Sequence, residues 1–362
     1  MPDLVRHHYE LYPYPQYPLL ASIRRCDTYA LNLTALWTRF NGILPPLTAK
    51  RILIAGCGSF SPYPFSLANP DADITALDLS SRNIKRARLH CLLHGNRNVT
   101  FRCSDLLDQS SADGKFGLID AYGVLHHLQD PLTGLKALAS RLTEGGILRI
   151  MLYSRYARRE EDSIRRAFRM LGVSDLATAK SIIRRAKPGS RLRRFVESSH
   201  ETNFDSGLAD ALLHPRVHTY RIEGFMELIQ QSGLQPLLFA HDGALEDVTQ
   251  EVERIRRMET AKQAPDNFIL YLGHQVGTPC PAKDASLFML NPCLSAAVSP
   301  VRIGTLHVAS RLGRPNPALA SQERSFLRQF LRPVHADQLS AEMQSVVSLY
   351  KKSLFLLQYQ NN

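Results

Sequence analysis

Short apolar runs alternate with amphipathic stretches between residues 51 and 153. The apolar runs predict five buried strands, RILIAG, ADITALD, VTFRCSD, FGLIDAYGVL and ILRIMLY. Between them, Ser80 is placed to cap one helix, and Asp130 followed by Pro131 is typical of the start of another. Strands that alternate with helices in this way predict a parallel sheet covered on both faces.

The pattern breaks at residues 154–216, which carry no clear strand and predict helices only. Regular order then returns with two more strands, PLLFAHD and NFILYLG. We therefore predict an α/β, Rossmann-like, doubly wound fold whose mostly parallel sheet has seven strands. The predicted organisation is an N-terminal extension or lid (1–46), a main domain (47–275) with the helical insertion (154–216), and a C-terminal appended region (276–362).

The C-terminal region begins with turn-forming residues typical of a linker and ends in predicted helices. The last of these, SAEMQSVVSLYKKSLFLLQYQ, has an apolar stripe at helical spacing, namely Val346, Leu349, Tyr350, Leu354 and Leu357. We interpret the stripe as a packing face. These helices either pack on the main domain or mediate self-association.

Composition narrows the class of protein. The chain has 362 residues and a formal net charge of +11, which favours an anionic partner such as nucleic acid or a phosphorylated or carboxylated substrate. It has no apolar run long enough to span a membrane and no apolar N-terminal leader. Its six cysteines form no CxxC pair. We therefore expect no metal site, no disulfide framework, no membrane association and a cytoplasmic location.

The glycine turn GCGSF follows the first strand, where parallel α/β sheets bind nucleotides. Gly56 and Gly58 allow tight backbone geometry and close approach of a ligand. Asp78 ends the second strand, where a carboxylate can accept hydrogen bonds from ribose hydroxyls. Ser61 stands where a dinucleotide-binding turn usually has its third glycine, which disfavours a nicotinamide-dependent oxidoreductase.

Five motifs in this order, ILIAGCGSF, ITALDLS, VTFRCSDLLD, IDAYGVLHHLQDP and LTEGGILRIMLYS, resemble those of class I S-adenosylmethionine-dependent methyltransferases. The resemblance includes a variant with a Gly-Cys-Gly-Ser-Phe loop and an N-terminal Tyr-Pro-Tyr-Pro segment. It implies S-adenosyl-L-methionine as the cofactor. The cofactor-binding residues it implies are Gly56, Cys57, Gly58, Phe60, Asp78, Leu79, Asp105, Leu106 and Gly123. Phe60 either offers an aromatic face to the sulfonium cation or packs beneath the loop.

The segment HHYELYPYPQYP is predicted to be extended, because proline fixes φ and disfavours helix at the preceding residue. We interpret it as a lid over the cofactor. The alternatives are a ligand for another protein and a strap packed on the sheet. The candidate acceptor-side residues are Tyr12, Tyr14, Tyr153, Tyr156 and His218.

His126 and His127 follow the fourth strand, and Tyr122 precedes them, so these three are the candidate catalytic residues. Either histidine could remove a proton from the acceptor, with His126 favoured, or the pair could only brace the loop.

The insertion is strongly basic, with thirteen Lys and Arg against four Asp and Glu between residues 155 and 194. Basic side chains beside an acceptor pocket favour an anionic acceptor, either a small molecule or a protein. The alternatives are an RNA methyltransferase that uses this insertion and a catalytically silent regulatory module that binds the cofactor.

Overall fold

The computed structural model of the chain describes residues 4–274 and 286–360. Cys280 and the predicted linker up to residue 285 lie outside the described residues. The central sheet of the described chain consists of β1 (Arg51–Ala55), β2 (Asp73–Asp78), β3 (Val99–Cys103), β4 (Phe116–Tyr122), β5 (Leu142–Ser154), β6 (Thr219–Tyr220), β7 (Gln235–Phe239) and β8 (Asn267–Gly273).

The main strands lie in the order β3-β2-β1-β4-β5-β8-β7, and the short β6 pairs with the end of β5. Neighbouring strands are parallel except at β8, which runs antiparallel to both β5 and β7. This arrangement confirms the predicted seven-stranded, mostly parallel sheet. The strand order reverses at β1, which lies between β2 and β4, so the carboxyl ends of these strands form the crevice where such sheets bind ligands.

Helices cover both faces of the sheet and build the insertion and the C-terminal region. Those of the described ranges are α1 (Leu4–Leu11), α2 (Leu33–Asn41), α3 (Pro62–Ala68), α4 (Ser81–Leu93), α5 (Pro131–Ala139), α6 (Arg159–Met170), α7 (Leu176–Arg185), α8 (Arg191–Ser198), α9 (Asp205–Leu213), α10 (Ile222–Gln231), α11 (Val248–Thr260), α12 (Ser321–Arg328) and α13 (Ala341–Lys352). The predicted caps form, because Ser80 accepts a hydrogen bond from the Asn83 amide and Asp130 from the Leu132 amide. Within these ranges no helix has the length and apolarity that crossing a bilayer requires.

The N-terminal segment departs from its predicted extended form, since residues 4–11 are the helix α1. The first proline of this segment is Pro13, which restricts only Tyr12 before it. The preceding residues were therefore free to form a helix, and α1 packs against α4.

The insertion has an apolar core of its own, formed by side chains of α6, α7 and α9 such as Ile164, Phe168, Ala179 and Leu212. Part of its basic charge is internal. Arg165 is buried, pairs with Glu161 and Asp162, and donates to the Ala211 carbonyl.

The C-terminal region contains a three-stranded antiparallel sheet in the order β10-β9-β11, formed by β9 (Leu287–Leu290), β10 (Val334–His335) and β11 (Leu356–Tyr359). The prediction of one final helix was wrong, because α13 ends at Lys352 and the chain then enters β11. Val346 and Leu349 of the predicted stripe are exposed, while Phe355 and Leu357 join a core shared with β1, α2 and α3.

Candidate active site

The glycine loop connects β1 to α3 and has the backbone conformation that its glycines suggest. Gly56 and Gly58 have φ values of +71° and +57°. A Cβ on Gly56 would lie 2.5 Å from a methyl group of Val124, so the loop after β4 packs directly against it. The Cys57 amide donates to the Leu77 carbonyl at 2.7 Å, which fixes the loop against the end of β2.

Asp78 is the acidic residue that the sequence placed beside this loop, and its carboxylate already has three donors. Oδ2 accepts from the Gly58 amide at 2.7 Å, and Oδ1 accepts from the Ser80 amide at 2.8 Å and from Asn83 Nδ2 at 3.2 Å. A carboxylate has about four acceptor positions, so one remains for a ligand hydroxyl. Burial raises the pKa of Asp78, and the backbone hydrogen bonds from Ser80 and Gly58 oppose that rise.

One large cavity opens at this crevice, with a volume of about 1220 Å³. All nine predicted cofactor-binding residues line it. Asp105 follows β3, and its Oδ1 accepts from the Leu107 amide at 2.9 Å, while Leu106 is buried beside it. The structure therefore brings together every cofactor-side residue that the sequence predicted.

Phe60 lines this cavity and at the same time packs on neighbouring rings. Its centroid lies 4.5 Å from that of Tyr17 and 5.1 Å from that of His90. Phe60 therefore lines the cavity and also packs against neighbouring rings, so the structure has features of both alternatives considered for it.

The N-terminal segment lies across the glycine loop. The Ser59 amide donates to the Tyr14 carbonyl at 3.1 Å, and the Tyr14 amide donates to Asn83 Oδ1 at 3.1 Å. A Cβ on Gly58 would lie 2.7 Å from the Tyr14 carbonyl oxygen. Gly58 is therefore required for this backbone contact as well as for its φ value.

The three candidate catalytic residues occupy different positions. His127 and Tyr122 line the cavity, whereas His126 is fully buried and does not reach it. The ring of His126 stacks on Tyr153 with a centroid distance of 4.0 Å. This geometry places His127 ahead of the favoured His126 for any contact with an acceptor.

The orientation of His127 is fixed by its neighbours. Its Nδ1 donates to the Arg216 carbonyl at 2.9 Å, which leaves Nε2 with the lone pair. Burial lowers the pKa of His127 to about 3, so the ring is neutral near pH 7.

The predicted acceptor-side residues also fall into two groups, those that line the cavity and those that do not. Tyr14 and Tyr153 line the cavity. Tyr12, Tyr156 and His218 do not line it, and His218 donates instead from Nε2 to the Leu128 carbonyl at 3.0 Å.

The sequence analysis did not identify several polar residues of this cavity. Tyr9 of α1 donates through its hydroxyl to Oδ1 of Asp210 on α9 at 3.0 Å. Arg149 pairs with Asp120 at 2.6 Å, with its guanidinium 4.9 Å from the centre of the Tyr122 ring. The remaining charged lining residues that it missed are Asp27, Arg158, Glu201, Arg216, Asp242 and Arg311. The pattern of hydrophobic and polar residues does not predict contacts between residues that lie so far apart in the sequence.

The sequence analysis predicted no metal site, yet the structure brings three possible metal ligands together. Three buried side chains, His8, Asp210 and His214, have one ligand atom each within 4.8 Å of one another.

Comparisons with known proteins show what the central domain and the fold are similar to. Residues 53–148 match the family model described as a methyltransferase domain. A stretch of 103 residues, 28% of this chain, is 34% identical to the ubiquinone biosynthesis O-methyltransferase of Idiomarina loihiensis and covers 41% of that protein. The structure of PKMT2 from Rickettsia typhi has the same fold, with a TM-score of 0.57 and 16% identity over 95% of this chain and 78% of that one.

The matched domain, the fold and these relatives identify an S-adenosylmethionine-dependent methyltransferase of class I. They favour an enzyme over the silent regulatory module and over the nicotinamide-dependent oxidoreductase. The chain belongs to the same family as the uncharacterized protein syc1184_c of Synechococcus sp., to which it is 30% identical over 385 residues, with 96% of this chain and 90% of that protein covered.

Proposed function

We propose that the protein transfers the methyl group of S-adenosylmethionine to a hydroxyl oxygen of a small anionic acceptor. The observation that carries this proposal is a single cavity whose lining includes two groups of residues. We call the part formed by the glycine loop and Asp78 its cofactor end, and the part formed by the side chains of Tyr9, Tyr153 and Asp210 its acceptor end. Its volume of about 1220 Å³ exceeds the roughly 300–1,000 Å³ of ordinary small-molecule sites. The cavity therefore has room for a cofactor and an acceptor together.

The cofactor end fits S-adenosylmethionine. The glycine loop would lie against the amino-acid part, the free acceptor position of Asp78 would take one ribose hydroxyl, and Asp105 with Leu106 would hold the adenine. Bound S-adenosylmethionine supplies an electrophilic methyl group. The N-terminal segment, bonded to the glycine loop, would exclude water from the cavity and fix the approach of the acceptor.

The acceptor end supports an anionic molecule with a hydroxyl group. Arg216 and Arg311 line the cavity, and the Arg216 side chain has no hydrogen bond or ion pair with any residue of the described ranges. The lone pair on His127 Nε2 would accept a hydrogen bond from the acceptor hydroxyl. The choice of oxygen follows the O-methyltransferase to which 103 residues of this chain are 34% identical.

Two measurements test this function. Calorimetry should show one S-adenosylmethionine bound per chain and no binding of NAD. Turnover to S-adenosylhomocysteine should then be followed with matched hydroxy, amino and thiol derivatives of benzoate, with mass spectrometry to locate the methyl group. Methylation of nitrogen or sulfur in preference to oxygen would contradict the acceptor class, and no cofactor binding would contradict the function itself.

RNA is a second candidate acceptor, favoured by the exposed part of the basic insertion. Nine of its basic side chains are exposed, namely Arg155, Arg159, Arg166, Arg169, Arg184, Arg185, Lys187, Arg191 and Arg194. Phosphate contacts made by such a surface weaken steeply with salt. Binding of a fluorescent RNA at 50 mM salt that fails at 200 mM would support this candidate, and no binding at 50 mM would exclude it.

We also propose a cytoplasmic location. The five cysteines within the described ranges, Cys26, Cys57, Cys91, Cys103 and Cys293, are all free, as a reducing compartment would leave them.

A further inference from the structure

A buried polar cluster joins the N-terminal helix to the insertion at the acceptor end of the cavity, which one of its members, Asp210, also lines. It consists of His8 on α1, Asp210 on α9 and His214 directly after α9. The three residues are only 5%, 6% and 1% exposed. One ring nitrogen of each histidine and one carboxylate oxygen lie within 4.8 Å of one another.

Two atoms of this cluster are unsatisfied. Nε2 of His8 and Nε2 of His214 are buried and have no hydrogen-bond partner among the residues that the structure describes. Buried polar groups in folded proteins are nearly always paired, so an orphaned pair beside a carboxylate requires an explanation such as a bound ion.

We propose that His8, Asp210 and His214 bind a divalent transition-metal ion, of which Zn²⁺ is the representative. Two imidazoles and one carboxylate are a ligand set that Zn²⁺ and Fe²⁺ take, with water at the open position. In a tetrahedral site with bonds near 2.1 Å, ligand atoms are about 3.4 Å apart. The separations of the three ligand atoms, all within 4.8 Å, would therefore need to shorten by at most about 1.4 Å.

The surroundings of Asp210 suit this role. The hydroxyl of Tyr9 donates to Oδ1 at 3.0 Å, and no described residue hydrogen-bonds to Oδ2. Metal-binding carboxylates and histidines are usually oriented by such hydrogen bonds from neighbouring groups. Oδ2 is thus the oxygen available for the metal.

His214 requires one rearrangement. Its Nδ1 accepts a hydrogen bond from the Arg216 amide at 3.1 Å, so the neutral ring now carries its proton on Nε2. Binding through Nε2 therefore moves that proton to Nδ1 and breaks the hydrogen bond to Arg216, a residue of the cavity lining. Metal uptake would then be accompanied by a shift of the loop at Arg216.

The metal would hold the N-terminal helix in place over the cavity. Helix α1 already contacts the cofactor side, because Ser80 Oγ donates to the Tyr9 carbonyl at 3.2 Å. A metal shared between His8 and the insertion would fix the other side of the same helix. This role does not depend on which acceptor the enzyme uses, or on whether it transfers a methyl group at all.

The test uses the full chain after removal of metal with a chelator. Equilibrium dialysis against micromolar Zn²⁺ should leave one ion per chain, measured by elemental analysis, and Zn²⁺ should raise the melting temperature. His8→Gln and His214→Gln should each weaken binding at least tenfold. His7→Gln is the matched control, because His7 is the exposed neighbour on α1 and should leave binding unchanged.

Three outcomes would overturn the proposal: no stoichiometric Zn²⁺ on the folded wild-type chain, unchanged affinity in folded His8→Gln, or an equal loss in His7→Gln. His8→Cys distinguishes the loss of a metal ligand from a purely structural effect of replacing His8. It replaces the imidazole with a thiolate ligand and should recover Zn²⁺ binding that His8→Gln loses. Failure of this recovery in a folded His8→Cys chain would likewise count against metal ligation.

Discussion

Asp78 holds the glycine loop and the first turn of α4 together, so its substitution should affect cofactor binding more than any other single change. We expect Asp78→Ala to weaken S-adenosylmethionine binding about 10- to 100-fold, the usual consequence of losing a hydrogen bond to a charged group. Calorimetry measures this directly. Asp73→Ala, at the exposed start of the same strand, is the control and should bind normally. Normal affinity in a folded Asp78→Ala chain would remove the ribose assignment.

Phe60 offers a test of whether its aromatic face acts on the cofactor charge. S-adenosylmethionine carries a sulfonium cation, and S-adenosylhomocysteine does not. If the ring contacts that cation, Phe60→Leu should weaken binding of S-adenosylmethionine about 2- to 30-fold relative to S-adenosylhomocysteine. An equal loss for both ligands would show instead that Phe60 only packs against Tyr17 and His90.

At the scale of elements, Gly58 joins the N-terminal segment to the sheet. Gly58→Ala would combine an unfavourable φ of +57° with a Cβ only 2.7 Å from the Tyr14 carbonyl oxygen. We expect it to expose the N-terminal segment to trypsin, with loss of cofactor affinity. Gly95→Ala is the matched control, because Gly95 has a φ of +74° with open space around it. Similar protease sensitivity in both variants would mean that the backbone strain, and not the contact with Tyr14, is responsible.

The buried carboxylate of Glu251 connects helix α11 to the end of β7 through hydrogen bonds. Glu251 accepts hydrogen bonds from His241 Nε2 at 2.7 Å and from Arg254 Nε at 2.7 Å. Burial alone would raise the pKa of Glu251, but these hydrogen bonds lower it to about 2. Because the folded pKa lies below the unfolded value of 4.5, this stabilisation is complete above pH 4.5 and is lost as the pH falls from 4.5 towards 2.

Glu251→Gln should therefore lower the free energy of unfolding by about 3 kcal/mol at pH 7, a cost typical of breaking a buried pair. The difference from wild type should shrink as the pH falls from 4.5 to 3, which denaturant titrations at several pH values would show. The control is Glu253→Gln, which removes exposed ion pairs of the same helix and should have little effect. A difference that is constant across this pH range would contradict the assignment.

The elements that could be predicted from the sequence are those whose pattern lies within one short, continuous stretch of the chain. Each strand of the sheet is a contiguous apolar run, and the cofactor residues follow the carboxyl ends of strands, which a parallel sheet gathers at one edge. The contact between Tyr9 and Asp210 has no such signal, because 201 residues separate them in the chain. The prediction of one final helix was wrong for a related reason. In the sequence the apolar stripe continues to Leu354 and Leu357, but the chain after α13 enters β11, which is buried in a core formed with residues far away in the sequence.

At the scale of the whole molecule, the C-terminal region shares its core with the central domain. Phe355 is fully buried, and its centroid lies 5.4 Å from that of Tyr29 in the N-terminal part. The same cluster contains Trp37, the single tryptophan of the chain. A common core of this kind should make the C-terminal region and the central domain unfold together.

Phe355→Ala should therefore lower the free energy of unfolding by about 3–5 kcal/mol and shift the unfolding midpoint seen by Trp37 fluorescence. The midpoint from far-ultraviolet circular dichroism should shift by the same amount, although the substitution lies more than 300 residues from Trp37 along the chain. Val346→Ala, on the exposed face of α13, should leave both midpoints nearly unchanged. If the Trp37 transition stays in place while circular dichroism reports an earlier partial loss of structure, the C-terminal region unfolds as an independent unit, and its packing adds nothing to the stability of the cofactor-binding domain.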